Sequence, residues 1–167
     1  MKSTVDMSKV FSLGHFETRG VSANEMFNII NKNQERVGYW FENIALSPQI
    51  RITSGVKFSL VIVGGEPNVN QESRLCDVVK SVCDRRIRRP TFEMGYYLWE
   101  FMCSLRVPDR KINGFDRLVI CHKPIVLEGG VCPRIMSIGE DLVARGEIGG
   151  PGHCFGKDTG FVFQTFG

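Results

Sequence analysis

Apolar positions along this chain follow two different rhythms. From Val56 to Val63, the residues Phe58, Leu60 and Ile62 alternate with Val61 and Val63, which predicts a strand buried on both faces near the middle of a sheet. Ser54-Gly55 turns the chain before it, and Gly64-Gly65-Glu66-Pro67 ends it. Between Asn70 and Cys83 the rhythm changes: Leu75, Val78, Val79, Val82 and Cys83 recur at offsets of three, four, seven and eight. That is the stripe of an amphipathic helix, with Asn70 as its cap. A second helix is predicted from Pro90 or Thr91 to about Leu105, and there Phe92, Met94, Tyr96, Tyr97, Leu98, Trp99, Phe101 and Met102 put bulk on every side. Such a helix belongs mostly inside the protein.

The flanks are less periodic. Ser22-Ala-Asn-Glu25 matches a capping box and predicts a short helix through Met26, Phe27, Ile29 and Ile30. Gln49 to Thr53 alternates Ile50 and Ile52 with Arg51 and Thr53, as a half-buried strand does, and an aromatic-rich stretch from Tyr39 to Leu46 precedes it. The β-branched residues from Phe115 to Leu127 predict a long strand bent at Pro124. Glycines punctuate the remainder, with short strands expected near 134–138 and 161–166. Residues 1–20 mix Gly14, Gly20, Ser and Thr with isolated apolar residues and keep neither rhythm, so they are expected to form a flexible N-terminal arm. Residues 21–167 form one globular domain in this reading. The predicted fold is α+β, one small mixed or antiparallel sheet packed against two to three helices.

Composition narrows the class without changing the fold. A chain of 167 residues has the size of one domain, and its 43% hydrophobic and 23% charged residues fit a globular core. The apolar run from Phe58 to Val63 falls far short of the ~20 residues of a spanning helix. Ser3, Asp6, Ser8 and Lys9 interrupt the start of the chain in a way signal peptides do not. The six cysteines are scattered without a C-x2-C pair, and the three histidines lie far apart. Reduced thiols are expected, with no metal and no cofactor.

Charge adds the most distinctive feature. Arg85-Arg86-Ile87-Arg88-Arg89 sits between the two strongest helices, and the stretch from Arg74 to Lys123 holds eleven basic and six acidic residues in a chain of net charge +3. This polarity suits phosphates of nucleic acid or of lipid headgroups; the plain alternative is a solvated loop. Candidate chemistry is weaker. Gly149 to Gly156 carries an adjacent His153-Cys154 pair, but no helix follows to make a phosphate loop and no third residue marks a nucleophile. Cys121-His122 in mid-strand reads as a buried thiol beside an exposed imidazole. Glu128, Glu140, Asp141 and Glu147 read as solvated acids. The chain is expected to act through surfaces, not as an enzyme.

The order arm, strand, amphipathic helix, basic turn, apolar helix and long strand resembles the core of rhabdovirus matrix proteins. The resemblance is carried by Phe58-Ser-Leu-Val-Ile-Val, by Ser73-Arg-Leu-Cys-Asp-Val-Val-Lys-Ser-Val-Cys-Asp84 and by Arg89-Pro-Thr-Phe-Glu-Met94. It covers about half the chain, and the absence of a PPxY motif points to a short form from a plant-infecting branch. It implies a viral matrix protein that polymerises, condenses a nucleoprotein-RNA complex and bridges it to anionic membrane and to the viral glycoprotein during assembly and budding. The implied locations are the virion, the host cytoplasm and, peripherally, internal membranes, with the nucleus a further compartment. Residues 1–20 would be the polymerising arm through Val10, Phe11, Leu13 and Phe16. Arg85, Arg86, Arg88, Arg89, Arg110 and Lys111 would contact membrane or nucleoprotein. The alternative is an RNA-binding protein such as a viral silencing suppressor.

Overall fold

The computed structural model describes residues 10–33, 39–64, 72–83, 86–105, 114–127, 130, 135–139, 141–147, 152–156 and 158–165. Thirteen elements follow in order: β1 (Val10–Arg19), α1 (Ala23–Asn33), α2 (Tyr39–Ala45), β2 (Ser54–Gly64), β3 (Glu72–Arg74), α3 (Leu75–Val82), β4 (Ile87–Arg88), α4 (Phe92–Ser104), β5 (Arg117–Ile120), β6 (Ile135–Gly139), β7 (Ala144–Glu147), β8 (Cys154–Gly156) and β9 (Thr159–Thr165).

Seven strands form one mixed sheet in the order β1-β2-β9-β5-β6-β7, and β4 also pairs with β9. The β5–β9 pair is parallel, and the other pairs are antiparallel. β5 covers Thr159 to Val162 of β9, and β4 takes over opposite Gln164 and Thr165. The alternation along β2 distributes its side chains as its pattern predicts. Phe58, Leu60 and Ile62 meet α1, α2 and α4 on one face, together with Leu118, Ile120, Met136 and Val162. Val61 and Val63 meet α3 on the other, together with Phe161, Phe163 and Phe155 of the two-stranded β3–β8 ribbon. The fold is α+β, with helices on both faces of the sheet.

Local chemistry explains the helix starts. Ser22 Oγ accepts from Glu25 N at 3.2 Å, the bond expected of the capping box. Thr91 Oγ1 accepts from Met94 N at 3.3 Å and caps α4. α4 is buried on most sides, and its Trp99 Nε1 donates to Leu142 O at 2.8 Å. Gly160 marks the closest approach in the sheet: a Cβ there would stand 2.8 Å from Ile62 Cγ2 and 2.9 Å from Phe115 Cδ2.

The expected arm is corrected over residues 10–19. These residues are β1, paired with β2 from Val10↔Val63 to Arg19↔Ser54. Gly14, at φ +135°, lies at one of two register shifts, and the shifts scramble the alternation by which a strand is recognised. Leu13 is buried, and the Phe16 ring stacks on Phe58 at 5.4 Å and meets Phe101 edge-on at 5.6 Å. Val10 is half-buried against the second core, and Phe11 is exposed. At the far end of the strand, Arg19 N donates to Tyr97 Oη at 2.8 Å. The Arg19 guanidinium lies 5.3 Å over the Tyr97 ring and pairs with Glu100. Leu13 and Phe16 therefore pack in the chain's own core. Residues 1–9 lie outside the described residues.

Other elements differ in extent. Gln49 to Thr53 is irregular and not a strand, and its first and last residues make the ties described below. The strand expected over Phe115 to Leu127 is regular only in β5; beyond it, His122 N donates back to Ile120 O at 3.0 Å and turns the chain well before Pro124. Tyr39 to Ala45 is helical. The helix expected from Asn70 is corrected at its start: Glu72–Arg74 pair with β8 as β3, α3 begins at Leu75, whose N–H donates to His153 O at 3.0 Å, and Asn70 lies outside the described residues.

Candidate functional site

Strand geometry splits the basic run that dominates the sequence. Alternate residues of a strand point to opposite sides, so in β4 Ile87 is buried while Arg88 is exposed, as is Arg86 just before it. Arg89 turns inward. Its Nε donates to Cys121 O at 3.0 Å and its Nη2 to His122 O at 2.6 Å. The side chain thus closes the corner where β4 succeeds β5 along β9, so Arg89 is half-buried and structural where the sequence reading has a surface contact. Arg85, Arg110 and Lys111 lie outside the described residues.

A cleft of about 640 Å³ opens at this corner. Three segments build it: 49–51, 87–93 and 123–125, with Val79 from α3, Cys83 just after that helix and Gln164 from β9. The segments are fastened to one another. Gln49 Nε2 donates to Val126 O, and Val126 N donates back to Gln49 Oε1 at 3.1 Å, so a side-chain amide stands in for a strand partner. Glu93, buried near the start of α4, accepts from Thr53 N at 3.0 Å and from Thr53 Oγ1 at 2.9 Å. The Arg89 bonds supply the third tie. Exposed Arg51 and Lys123 thereby join Arg88 and Arg89 around a lining that is otherwise largely apolar, with Glu93 the carboxylate among the lining residues.

Behind the cleft lies His122, fully buried where an exposed imidazole was expected. The turn at Ile120 breaks the strand alternation, so Cys121 and His122 both point inward. His122 Nδ1 lies 2.6 Å from Lys123 O; a carbonyl only accepts, so Nδ1 carries the proton. Nε2 finds no well-formed hydrogen bond among the described residues, and the ring meets Phe92 edge-on at 5.5 Å. Burial pushes this histidine down to about 4 and the Cys121 thiol up to about 12. Neither group titrates near neutrality.

The remaining candidates are dispersed. Cys154 Sγ donates to Gly152 O at 3.4 Å and the His153 ring lies on Phe155 at 4.6 Å, so the adjacent pair is turned to separate partners. Asp141 pairs with Arg145, whose hydrogen bond holds the carboxyl below its usual range. Among the described residues, no three His, Cys, Asp or Glu side chains converge as a metal site would require, and no helix is long and apolar enough to cross a membrane. Arg51 and Lys123 are site residues that sequence reasoning missed; each is a lone cation in its own segment, and only the ties between segments reveal the grouping.

No family model matches the chain, and neither a curated protein nor a solved structure is significantly similar to it.

Proposed function

We propose that this domain is a non-enzymatic viral assembly protein of the rhabdovirus matrix type, which associates with itself and bridges a nucleoprotein-RNA complex to anionic membrane during assembly and budding. The reading is carried by the convergence of exposed Arg51, Arg88 and Lys123 on one cleft, with Glu93 the carboxylate among its described lining residues. Such a cluster attracts phosphate-bearing surfaces, each near-surface cation contributing about 1 kcal/mol at an anionic lipid surface. The succession of β2, amphipathic α3 and buried α4 follows the pattern on which the resemblance rests and supports the same reading. Self-association is assigned to the outer edge of β1, a long edge strand with Phe11 exposed, because unpaired strand edges template pairing with further chains. The virion and the surface of host internal membranes are the places where such a protein acts, with the viral glycoprotein as a further partner.

An RNA-binding role would use the same cations, but sequence-tolerant binding of single strands also needs open rings for stacking. The aromatic ring at the cleft, Phe92, is buried against His122. Vesicle flotation beside naked-RNA binding, both across a salt series, separates the two roles. The protein is expected to float with phosphatidylserine-containing vesicles, to ignore phosphatidylcholine alone, and to detach as salt rises. Tight, salt-steep RNA binding with no flotation would transfer the assignment to the RNA-binding alternative.

A further inference from the structure

We infer that the cleft holds one anionic phospholipid molecule, its headgroup phosphate among Arg51, Arg88 and Lys123 and the start of its acyl chains against Ile50, Val79 and Pro124. This deepens the membrane-bridging reading above and rests on it. General attraction to a charged bilayer needs only exposed cations; the cleft offers a second kind of complementarity beside them. Its lining runs from exposed Arg51, Arg88 and Lys123 to half-buried Ile50 and Val79, with Ile87 and Ile125 buried behind them.

Two alternatives use less of this surface. Inorganic phosphate would engage the cations and leave the apolar wall wet. A nucleic-acid strand would follow the charge and, among the described residues that line the cleft, find no ring open for stacking. An amphiphile satisfies both parts, because each apolar contact removes surface from water while the phosphate stays at the exposed rim. The size agrees, since 640 Å³ falls within the range of roughly 300–1,000 Å³ typical of small-molecule sites. The ties Gln49–Val126, Thr53–Glu93 and Arg89 to the Cys121 and His122 carbonyls hold the walls in place beforehand, so binding spends little free energy on ordering them. Glu93 is committed to Thr53 through both carboxylate oxygens, which weakens its opposition to an entering anion.

The test titrates the full chain with dihexanoyl phosphatidic acid below its micelle concentration, and in parallel with inorganic phosphate and dihexanoyl phosphatidylcholine, following methyl resonances by NMR. One phosphatidic acid per chain is expected, with the largest shifts at Ile50, Val79 and Ile125. Inorganic phosphate should bind at least about tenfold more weakly, since it forgoes the apolar contacts. The combined variant Arg51→Ala, Arg88→Ala, Lys123→Ala alters exposed side chains and should weaken phosphatidic acid binding by about a hundredfold at an unchanged melting temperature. The wild-type shift map needs no variant, so the test survives a variant that fails to fold. Phosphate binding as tightly as the lipid, undiminished binding by the combined variant, or shifts confined to another surface would each overturn the inference. Flotation of the same protein separates the two failures: if it floats on anionic vesicles yet ignores the soluble lipid, the cleft assignment falls and the membrane reading stands. If it takes the soluble lipid but never floats, the lipid site stands and the bridging reading falls.

Discussion

Acid reaches the native state through His122. The folded imidazole stays neutral down to about 4, because burial disfavours its charged form, while an unfolded chain would take up the proton near 6.5. Between those values a falling pH adds a proton only to the unfolded chain, so the native state loses about 3 kcal/mol over that window and nothing more from this residue below it. His122→Phe keeps a ring against Phe92 and removes the titration. Urea melts at pH 7 and at pH 4 should show a smaller acid loss in the variant, and equal losses would assign the acid sensitivity to other groups. At this scale the sequence was only partly legible. Alternation from the neighbouring strand predicted an outward imidazole, and one backbone bond from His122 N to Ile120 O reversed it. The arginine run was visible as charge, but which of its members faces solvent depended on the two residues of β4 finding a place beside β9.

Among elements, those buried by their own periodicity were readable: β2, α4 and the capping box of α1 occupy their expected stretches, and α3 does so from Leu75, while Glu72–Arg74, read as the first turn of that helix, form β3. β1 was not, since Gly14 and two register shifts erase the period, and neither was α2, which is too short to show one. The assignment of β1 to the core makes a distinguishing prediction. Leu13→Ala removes a side chain packed in the first core and should cost roughly 2–5 kcal/mol, read as a lowered urea midpoint. A polymerising arm would instead lose assembly in sedimentation and keep its stability. The cleft belongs to the same level of illegibility: Gln49 looks like part of a strand, yet its amide serves as the partner of Val126, and no spacing rule anticipates that exchange.

For the whole molecule, the decisive placement is β9 between β2 and β5, where Phe161 and Phe163 fill one face and Val162 the other. A chain ending at residue 157 lacks this strand, leaving β2 and β5 with no common partner. It should give the circular dichroism and rapid amide exchange of an unfolded chain; slow exchange across β5 and β6 would show instead that a sub-domain stands alone. The α+β class was legible at this scale because the two apolar rhythms alternate along the chain. The strand order was not, because it depends on which distant segments share a hydrogen-bond ladder.

That central strand has a consequence during synthesis. A ribosome must pass residue 165 before the β1–β2 pair and the β5–β6–β7 meander can join, so translation of the intervening chain leaves two incomplete apolar surfaces waiting. Pairings this distant in sequence close slowly, typically in milliseconds to seconds. Throughout that interval the nascent polypeptide presents the unfilled edge of β2 to its neighbours on a polysome, and crowding of growing copies favours intermolecular pairing there unless a chaperone occupies the gap first.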